Sequence, residues 1–160
     1  MRSLVFAALM LAACAAPVDP ATPSATPEAT PQAPPQSGPA SPLALQIRAD
    51  MARLDGELRA SGVVAAGIGQ QADLGGGVLI RPLAVIEDSR CPNNARCIWA
   101  GRLRLRADVS GGEVEMTLGE PTITAHGPVL LAVVSPGPWT DWPTNEIGAK
   151  PAYRFGFRRA

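Results

Sequence analysis

The chain has 160 residues, with 14 basic and 14 acidic side chains and a formal net charge of zero. This balance argues against a general nucleic-acid binder, which would normally be basic, and 17 prolines with 16 glycines argue against a helical bundle. Once an export segment and a proline-rich stretch are set aside, about 120 residues remain, enough for one ordinary domain but not for a second, catalytic one.

The first residues have the layout of a secretory signal. In residues 1–13 one positive charge, Arg2, precedes an apolar run of about ten residues that ends in two alanines. Such a run spans only ~15 Å as a helix, against ~30 Å of bilayer hydrocarbon. It therefore predicts an export signal and not a transmembrane span.

The residue that follows this signal is a cysteine. The sequence Leu11-Ala12-Ala13-Cys14 resembles the lipobox of bacterial lipoproteins, whose cysteine thiol takes a diacylglyceryl group before the signal is cut off. The resemblance implies a mature chain that begins at Cys14 and is stably anchored to a membrane by several acyl chains. An aspartate after the cysteine favours the inner membrane in Gram-negative bacteria, so Ala15 favours, by analogy, the outer membrane facing the periplasm. The alternative is an ordinary signal peptide with an incidental cysteine.

A proline-rich stretch comes next. Residues 15–42 contain nine prolines and only two charged residues, Asp19 and Glu28. Because this composition cannot bury enough apolar surface to offset chain ordering, we expect residues 14–42 to be a disordered tether with polyproline II character. Fully extended, it would reach at most ~90 Å. A ligand for a proline-recognition domain is the alternative.

A helical pattern covers residues 43–62. Ser41-Pro42 provides a start signal and Gly62 a stop. The apolar residues form one stripe at helical spacing: Ile47, Met51, Leu54 and Leu58. We expect a packing helix that covers one end or edge of a sheet, and an amphipathic helix that binds a partner is the alternative.

From residue 63 onward the apolar period changes to two, which predicts strands. The clearest pair alternates apolar and polar residues over 103–109 and 113–118, on either side of Ser110-Gly111-Gly112. A two-residue loop at Gly111-Gly112 keeps the apolar residues on one face, with the pairs Val109–Val114, Ala107–Met116 and Leu105–Leu118.

Five further segments have strand character: residues 63–68, 78–87, 122–125, 129–134 and 152–158. Segment 78–87 is apolar on both faces, as a covered strand would be, and Pro82 within it indicates an edge or a bulge. About seven short strands with Gly/Pro turns predict an all-β domain over residues 63–160, a small antiparallel β-sandwich or barrel.

Two cysteines lie in a Pro/Asn-rich loop between two of these strands. Cys91 and Cys97 have five residues between them, and in an exported protein a disulfide is the default for such a pair. With Cys14 used for lipid, they are the only cysteines left. Two alternatives have less support, because a redox site usually shows Cys-x-x-Cys and zinc needs four ligands, for which His126 and scattered carboxylates would have to serve.

Charged and aromatic residues flank the cysteines. Asp88 and Arg90 are candidate binding residues and are placed to form a charge-assisted pair that fixes the start of the loop. Trp99 has the parity of Leu103 and Leu105 on the inward face. We therefore expect Trp99 to pack in the core beneath the loop, and a ligand-stacking tryptophan is the alternative.

The motif around the cysteines reads Asp88-Ser89-Arg90-Cys91-Pro92, then four residues, then Cys97-Ile98-Trp99-Ala100-Gly101. It resembles the cysteine loop of a family of small exported bacterial proteins, often lipoproteins, of unassigned function. The family's domain begins with a Gly-containing strand and ends in a Leu/Val-rich strand, a Pro-rich loop and a Tyr-containing strand. The counterparts here would be residues 67–77, 129–138 and 152–157. The resemblance implies a fold and brings no activity.

Two tryptophans lie three positions apart in the loop Pro138-Trp139-Thr140-Asp141-Trp142-Pro143. Exposed tryptophan pairs stack on sugar rings or grip a protein partner, so Trp139 and Trp142 are candidate binding residues. The alternative is that the loop tucks one of the rings into the end of the domain.

The other charged residues point to no reaction. We expect the row Arg102, Arg104 and Arg106 to be offset by glutamates on the neighbouring strand. His126, the only histidine, has no Gly-x-Ser-x-Gly elbow beside it, and neither a Walker loop nor a dinucleotide fingerprint is present. The sequence therefore predicts no catalytic residue, no cofactor and no metal site.

Together these features predict a lipid-anchored, monomeric envelope protein whose non-catalytic β-domain binds a protein or glycan component there, with no nucleic-acid partner. A β-barrel that binds a small ligand near Trp139, Trp142 and the cysteines is the runner-up, and a hydrolase is third. A cavity at that place would favour the ligand binder, and a closed core with the tryptophan loop exposed would favour the partner module.

Overall fold

The computed structural model describes residues 39–160. The predicted signal peptide over residues 1–13, the lipidated Cys14 and nearly all of the tether predicted over residues 14–42 lie outside the described residues. From residue 39 onward, no helix is long and apolar enough to cross a bilayer.

The described residues form two antiparallel four-stranded sheets, one long helix and one short helix. In chain order the elements are α1 (Pro42–Leu58), β1 (Val64–Gly67), β2 (Ala72–Asp73), β3 (Leu79–Asp88), β4 (Leu103–Val109), β5 (Gly112–Thr117), β6 (Pro121–Thr124), β7 (Gly127–Ser135), α2 (Thr144–Ile147) and β8 (Arg154–Arg159). The strand orders are β1-β8-β7-β6 and β2-β3-β4-β5. The predicted all-β class is confirmed in its sandwich form, with β2 and α2 as elements that the sequence pattern did not indicate.

The core lies between the two sheets. One sheet contributes the alternate residues of β4 that the period of two predicted, Leu103, Leu105, Ala107 and Val109. The other sheet contributes buried residues of β7 and β8: Val129, Leu131, Val134, Phe155 and Phe157. Among the described side chains, no buried nitrogen or oxygen lacks a hydrogen-bond partner. The two inner faces thus form one apolar core.

Helix α1 begins where the sequence indicated. Pro42 is its first residue, and Ser41 Oγ accepts a hydrogen bond from Ala44 N at 3.2 Å, which caps the first turn. The helix ends at Leu58, and residues 59–62 form turns. The predicted range of 43–62 was therefore too long at its C-terminal end.

The helix packs on the outer face of the sheet that contains β7 and β8. Leu54 and Leu58 are buried against Val133 of β7. Gly156 of β8 allows this close approach, since a Cβ there would lie 3.1 Å from Leu58 and 2.8 Å from Val63. The packing role expected for the helix is confirmed, although it covers a sheet face and not an end or edge.

The β4–β5 hairpin has the predicted faces but a different register. Its two-residue loop is Ser110-Gly111 and not Gly111-Gly112, with the pairs Val109–Gly112, Ala107–Val114 and Leu105–Met116. Ser110 has a φ of 51°, which is rare outside glycine. Its Oγ donates to Gly77 O at 2.8 Å, a contact that holds it in the turn. Because the register shifts by two residues, the apolar side chains stay on the predicted face.

Strand β3 differs from the covered strand that its apolar sequence predicted. Leu79 and Ile86 on its outer face are each 37% exposed, because α1 covers the other sheet. The register of the β3–β4 pair is irregular between Pro82 and Ala84, so the bulge expected at Pro82 is confirmed.

Two long connections meet at one end of the sandwich. Residues 89–102, here called the cysteine loop, join β3 to β4. Residues 136–148, the tryptophan segment, begin the connection from β7 to β8. Tyr153 Oη, at the end of that connection, donates to Asp88 Oδ2 at 2.7 Å. This end of the molecule therefore brings together most of the candidate residues.

Candidate functional site at the cysteine loop

The cysteine loop extends the β3–β4 hairpin beyond the sheet. Ser89 N donates to Arg102 O and Cys91 N donates to Ala100 O, each at 2.9 Å. Cys91 and Cys97 form the predicted disulfide, with their Cα atoms 5.8 Å apart. A crosslink that closes so short a loop contributes ~2–3 kcal/mol on the chain-entropy estimate. The loop is therefore braced and not a loose connection.

Gly101 sets how closely the two legs of the loop approach each other. Its φ is 66°, and a Cβ on it would overlap the backbone carbonyl oxygen of Ser89. Only glycine combines this backbone conformation with so close a neighbour.

The carboxylate of Asp88 fixes the start of the loop, as the sequence predicted. Arg90 donates to it twice, from Nε to Oδ1 and from a terminal nitrogen to Oδ2, both at 2.8 Å. Tyr153 Oη donates to Oδ2 at 2.7 Å, and Arg90 also donates to Pro136 O at 3.3 Å. The ion pair thus joins β3, the cysteine loop, the tryptophan segment and the residue before β8.

This cluster is largely withdrawn from water. The side chains of Asp88 and Arg90 are only 18% and 13% exposed. Burial by itself raises the pKa of Asp88, but the hydrogen bonds from Arg90 and Tyr153 outweigh it and hold the pKa below its usual range. Burial, followed by the hydrogen bond to Asp88, raises the pKa of Tyr153. Asp88 is therefore the charged acceptor and Tyr153 the neutral donor at neutral pH.

Trp139 is held by a carboxylate on helix α1. Its Nε1 donates to Asp50 Oδ2 at 3.1 Å, and Asn93 Nδ2 of the cysteine loop donates to the same oxygen at 3.0 Å. Asn93 N also donates to Pro138 O at 2.8 Å. The helix, the cysteine loop and the tryptophan segment therefore converge on Asp50, and the Trp139 ring is half-buried.

Trp142 is held within its own segment. Its Nε1 donates to Gly148 O at 2.8 Å, and its ring is half-buried. Beside it, Asn94 and Thr140 exchange two hydrogen bonds, from Asn94 Nδ2 to Thr140 Oγ1 at 2.7 Å and from Thr140 N to Asn94 Oδ1 at 3.2 Å. Both candidate tryptophans thus have fixed orientations and lie at one surface.

The beginning of helix α1 joins the same surface. Ser41 N donates to Glu146 Oε2 at 2.7 Å, and Arg48 donates to Glu146 O at 2.8 Å. Glu146 belongs to α2, so the described chain enters the domain at the end that carries the tryptophan segment.

Trp99 lies where the sequence did not place it. It is 80% exposed and the preceding Ile98 is 91% exposed, so the prediction of a core tryptophan is wrong. Residues at even spacing share a face only along a continuous strand. Strand β4 begins at Leu103, and Gly101, with a φ of 66°, interrupts the extended backbone before it, so Trp99 does not share the face of Leu103. We call Ile98 and Trp99 the tip of the cysteine loop.

The positive charges of Arg102, Arg104 and Arg106 are offset in part by carboxylates, as expected. Glu87 accepts from Arg102 at 3.0 Å and lies 3.7 Å from Arg104, which also pairs with Glu115. The Ser89 hydroxyl and then Arg102 hold the pKa of Glu87 below its usual range. Arg106 lies opposite Glu115 in the register but pairs with no carboxylate of residues 39–160.

The opposite end of the sandwich carries His126 and an open cavity. His126 lies exposed in the β6–β7 turn, where Arg159 donates to its carbonyl oxygen at 3.2 Å. A cavity of about 270 Å³ lies at that end, beside Leu79, Arg81 and Asp108. It is not next to the tryptophan segment, where the ligand-binding alternative would need it. Over residues 39–160, no three His, Cys, Asp or Glu side chains lie close enough together to hold a metal ion.

Sequence reasoning missed several residues of this surface. Asp50 belongs to the polar side of α1 and gave no signal that it accepts from Trp139 and Asn93. Tyr153 was recognised only as a strand residue. The parity rule assigned Trp99 to the core, although Gly101, two residues before β4, was a signal that the rule could fail there.

Gly101→Ala should destabilise the domain more than Gly62→Ala. Both glycines have a left-handed φ, 66° and 79°, but a Cβ at Gly62 meets nothing within 4 Å. We expect Gly62→Ala to lower the free energy of unfolding by about 1 kcal/mol through backbone strain. Gly101→Ala should lower the free energy of unfolding by a further ~2 kcal/mol, because its Cβ would overlap the backbone of Ser89. Urea unfolding measures both, and equal losses would contradict the described packing of the loop.

Asp88→Asn should destabilise the domain at neutral pH and lose that effect in acid. Because the folded pKa of Asp88 is lowered, its stabilisation is present above the ordinary carboxyl value near 4 and disappears as pH falls through the folded value. We expect a loss of ~1–2 kcal/mol at pH 7, allowing for partial solvent access. Urea midpoints at neutral and acidic pH measure it. Glu113→Gln, at an exposed carboxylate with no hydrogen bond or ion pair to residues 39–160, is the control, and a gap for Asp88→Asn that stays constant in acid would refute the assignment.

No protein-family model, curated protein or solved structure matches this chain. The resemblance of the cysteine motif to small exported bacterial proteins therefore stays a prediction.

Proposed function

We propose that this chain is an exported, lipid-anchored protein of the bacterial cell envelope, at the outer membrane and facing the periplasm. Its β-sandwich is a non-catalytic module that binds a protein or glycan component of the envelope. The proline-rich stretch before residue 39 is the tether that separates the module from the anchor.

The use of the three cysteines supports the anchor. Cys91 and Cys97 are joined to each other, and Cys14 is the only other cysteine in the sequence. A structural disulfide is typical of an oxidising compartment. The remaining thiol stands directly after Leu11-Ala12-Ala13, where a lipoprotein signal would need it.

The observation that carries the binding role is the rigid surface at the cysteine-loop end. Three segments distant in sequence are fastened there by side-chain hydrogen bonds centred on Asp50 and Asp88. Trp139 and Trp142 have their indole N–H groups bound inside the domain, so each ring is held in one orientation. Aromatic groups fixed in advance bind with a smaller loss of conformational entropy. Loops positioned by a rigid scaffold are common binding sites.

Cys14→Ser should abolish acylation of the protein in bacterial cells. Metabolic labelling with a palmitate analogue measures acylation, and sedimentation of envelopes shows in which membrane the acylated protein lies. Ala15→Asp is the matched variant, which should stay acylated and move to the inner membrane. Acylation of the Cys14→Ser variant would disprove the lipobox assignment.

Photo-crosslinking from the tryptophan segment should capture the envelope partner. p-Benzoylphenylalanine placed at exposed Asp141 is expected to give a discrete adduct in intact cells, whereas the same group at exposed Glu113 should not. Glu113 lies on β5 beside the hairpin turn, at the opposite end of the sandwich. Mass spectrometry of peptides from the adduct identifies a protein partner, and a loss of adduct mass on treatment with a muramidase identifies a glycan. Identical adducts from both positions, or none from Asp141, would reject a partner at this surface.

A further inference from the structure

We propose that the tip of the cysteine loop, Ile98 and Trp99, inserts into the interfacial layer of an anionic phospholipid bilayer, with Arg96 against the phosphate headgroups. The inference rests on the proposed function only in that the lipid anchor keeps such a bilayer within reach. The residues that make this contact differ from those assigned to the envelope partner.

The first observation is the exposure of the tip. Ile98 and Trp99 are 91% and 80% exposed, and they are adjacent on the returning leg of the loop, between Cys97 of the disulfide and Ala100, which accepts from Cys91 N. The disulfide and the paired legs hold the loop, so insertion would order little additional chain. A contiguous pair of exposed apolar side chains on a loop held in this way marks a candidate contact with a membrane or a partner.

The second observation separates Trp99 from the other two tryptophans. Trp139 and Trp142 each donate their indole N–H to an acceptor inside the domain. Trp99 donates to no acceptor of residues 39–160. Tryptophan concentrates at membrane–water interfaces, where the ring meets the acyl boundary while the N–H meets headgroup oxygens. The bilayer interface therefore satisfies both the ring and the N–H of Trp99.

The third observation is the charge around the tip. Between Asp88 and Asp108 the sequence contains five arginines and no acidic residue, although the whole chain is neutral. Arg90 and Arg102 are paired with carboxylates of β3, whereas Arg96 pairs with none in residues 39–160. Among the described residues, Arg96 therefore presents an unpaired positive charge two positions before the tip, which is complementary to anionic headgroups, and Asp141 of the adjoining tryptophan segment is the exposed carboxylate on that side.

The small area of the tip favours a bilayer over a protein partner. A single tryptophan can bury ~150–250 Å², whereas a stable protein interface buries about 800 Å² on each side. The exposed residues around the tip are polar or small: Asn93, Asn94, Ala95, Arg96, Ala100, Gly101 and Arg102. A bilayer accepts single side chains without a matching pocket, so a narrow projection suits it.

The position of the tether also favours this contact. The described chain begins at residue 39, close to Ser41, which is bound to Glu146 at the same end of the sandwich as the cysteine loop. The proposed tether, about 24 residues between Cys14 and residue 39, would turn insertion into an intramolecular event with a high effective concentration. A tip that binds weakly by itself would thus stay on the membrane for much of the time.

Vesicle binding tests the proposal without the lipid anchor. The chain from residue 14 onward, with Cys14→Ser, is exported behind a signal peptide that lacks a lipobox, so that neither acyl chains nor the apolar segment of residues 1–13 remain. It is sedimented with vesicles of phosphatidylcholine alone or with phosphatidylglycerol added. We expect binding to the anionic vesicles to fall about tenfold in Trp99→Ala, through the lost apolar contact.

Two matched pairs locate the contact. Ile98→Ala should weaken binding about threefold or more, whereas Ile123→Ala, which makes the same change at a residue 78% exposed on β6, should leave it unchanged. Arg96→Gln should weaken binding to the anionic vesicles about fivefold. Arg158→Gln, which removes the same charge from exposed β8 at the other end of the sandwich, should not.

The outcomes are distinct from those for the proposed function. Equal effects of Ile98→Ala and Ile123→Ala, or equal binding to neutral and anionic vesicles, would overturn the proposal. The absence of vesicle binding, together with a protein adduct formed at the tip, would assign Ile98 and Trp99 to a protein partner instead. Acylation of Cys14 has no influence on these measurements, because the tested chain has no cysteine at that position. Unchanged thermal unfolding of each variant shows that the domain remains folded.

Discussion

The hydrogen bonds to the Asp88 carboxylate hold together the end of the molecule that carries the candidate site. Asp88 is the last residue of β3, and it accepts from Arg90 in the cysteine loop and from Tyr153 beside β8. Because β3 and β8 belong to different sheets, one side chain fixes the sheets relative to each other where both open into long connections. Arg90 also donates to Pro136 O, so both connections begin from a common charged cluster. Their partial burial strengthens these contacts and makes an unpaired charge there costly.

The burial of residues that follow a strict period of two could be predicted well from the sequence. The alternation on β4 placed Leu103, Leu105 and Ala107 in the core because one face of the sheet is buried along its whole length. The hairpin register was wrong by two residues, since Ser110 adopts a left-handed conformation that its own side chain stabilises through Gly77. A contact between two turns distant in sequence is not visible in a local turn pattern.

The candidate site was predictable only where its residues are neighbours in sequence. Cys91–Cys97 and Asp88–Arg90 are local pairs, and both were found from spacing and charge. Asp50 holds Trp139 across 89 positions, and nothing in an amphipathic helix distinguishes an acceptor for an indole from a solvated carboxylate. The burial of each tryptophan follows from such distant acceptors and from the loop backbone, so counting alternate positions assigned Trp99 to the wrong side.

The three tryptophans therefore differ in whether their indole N–H group has an acceptor within the described domain. Asp50 and Gly148 bind two of them and hold those rings half-buried in the wall of the domain. Trp99 lies four positions before Leu103, the first core residue of β4, on a loop whose legs are paired and joined by the disulfide. The exposure of this large apolar side chain neither destabilises nor stabilises the folded core. A contact for this side chain therefore lies outside the domain, and Arg96, which pairs with no carboxylate of residues 39–160, favours a negatively charged surface for it.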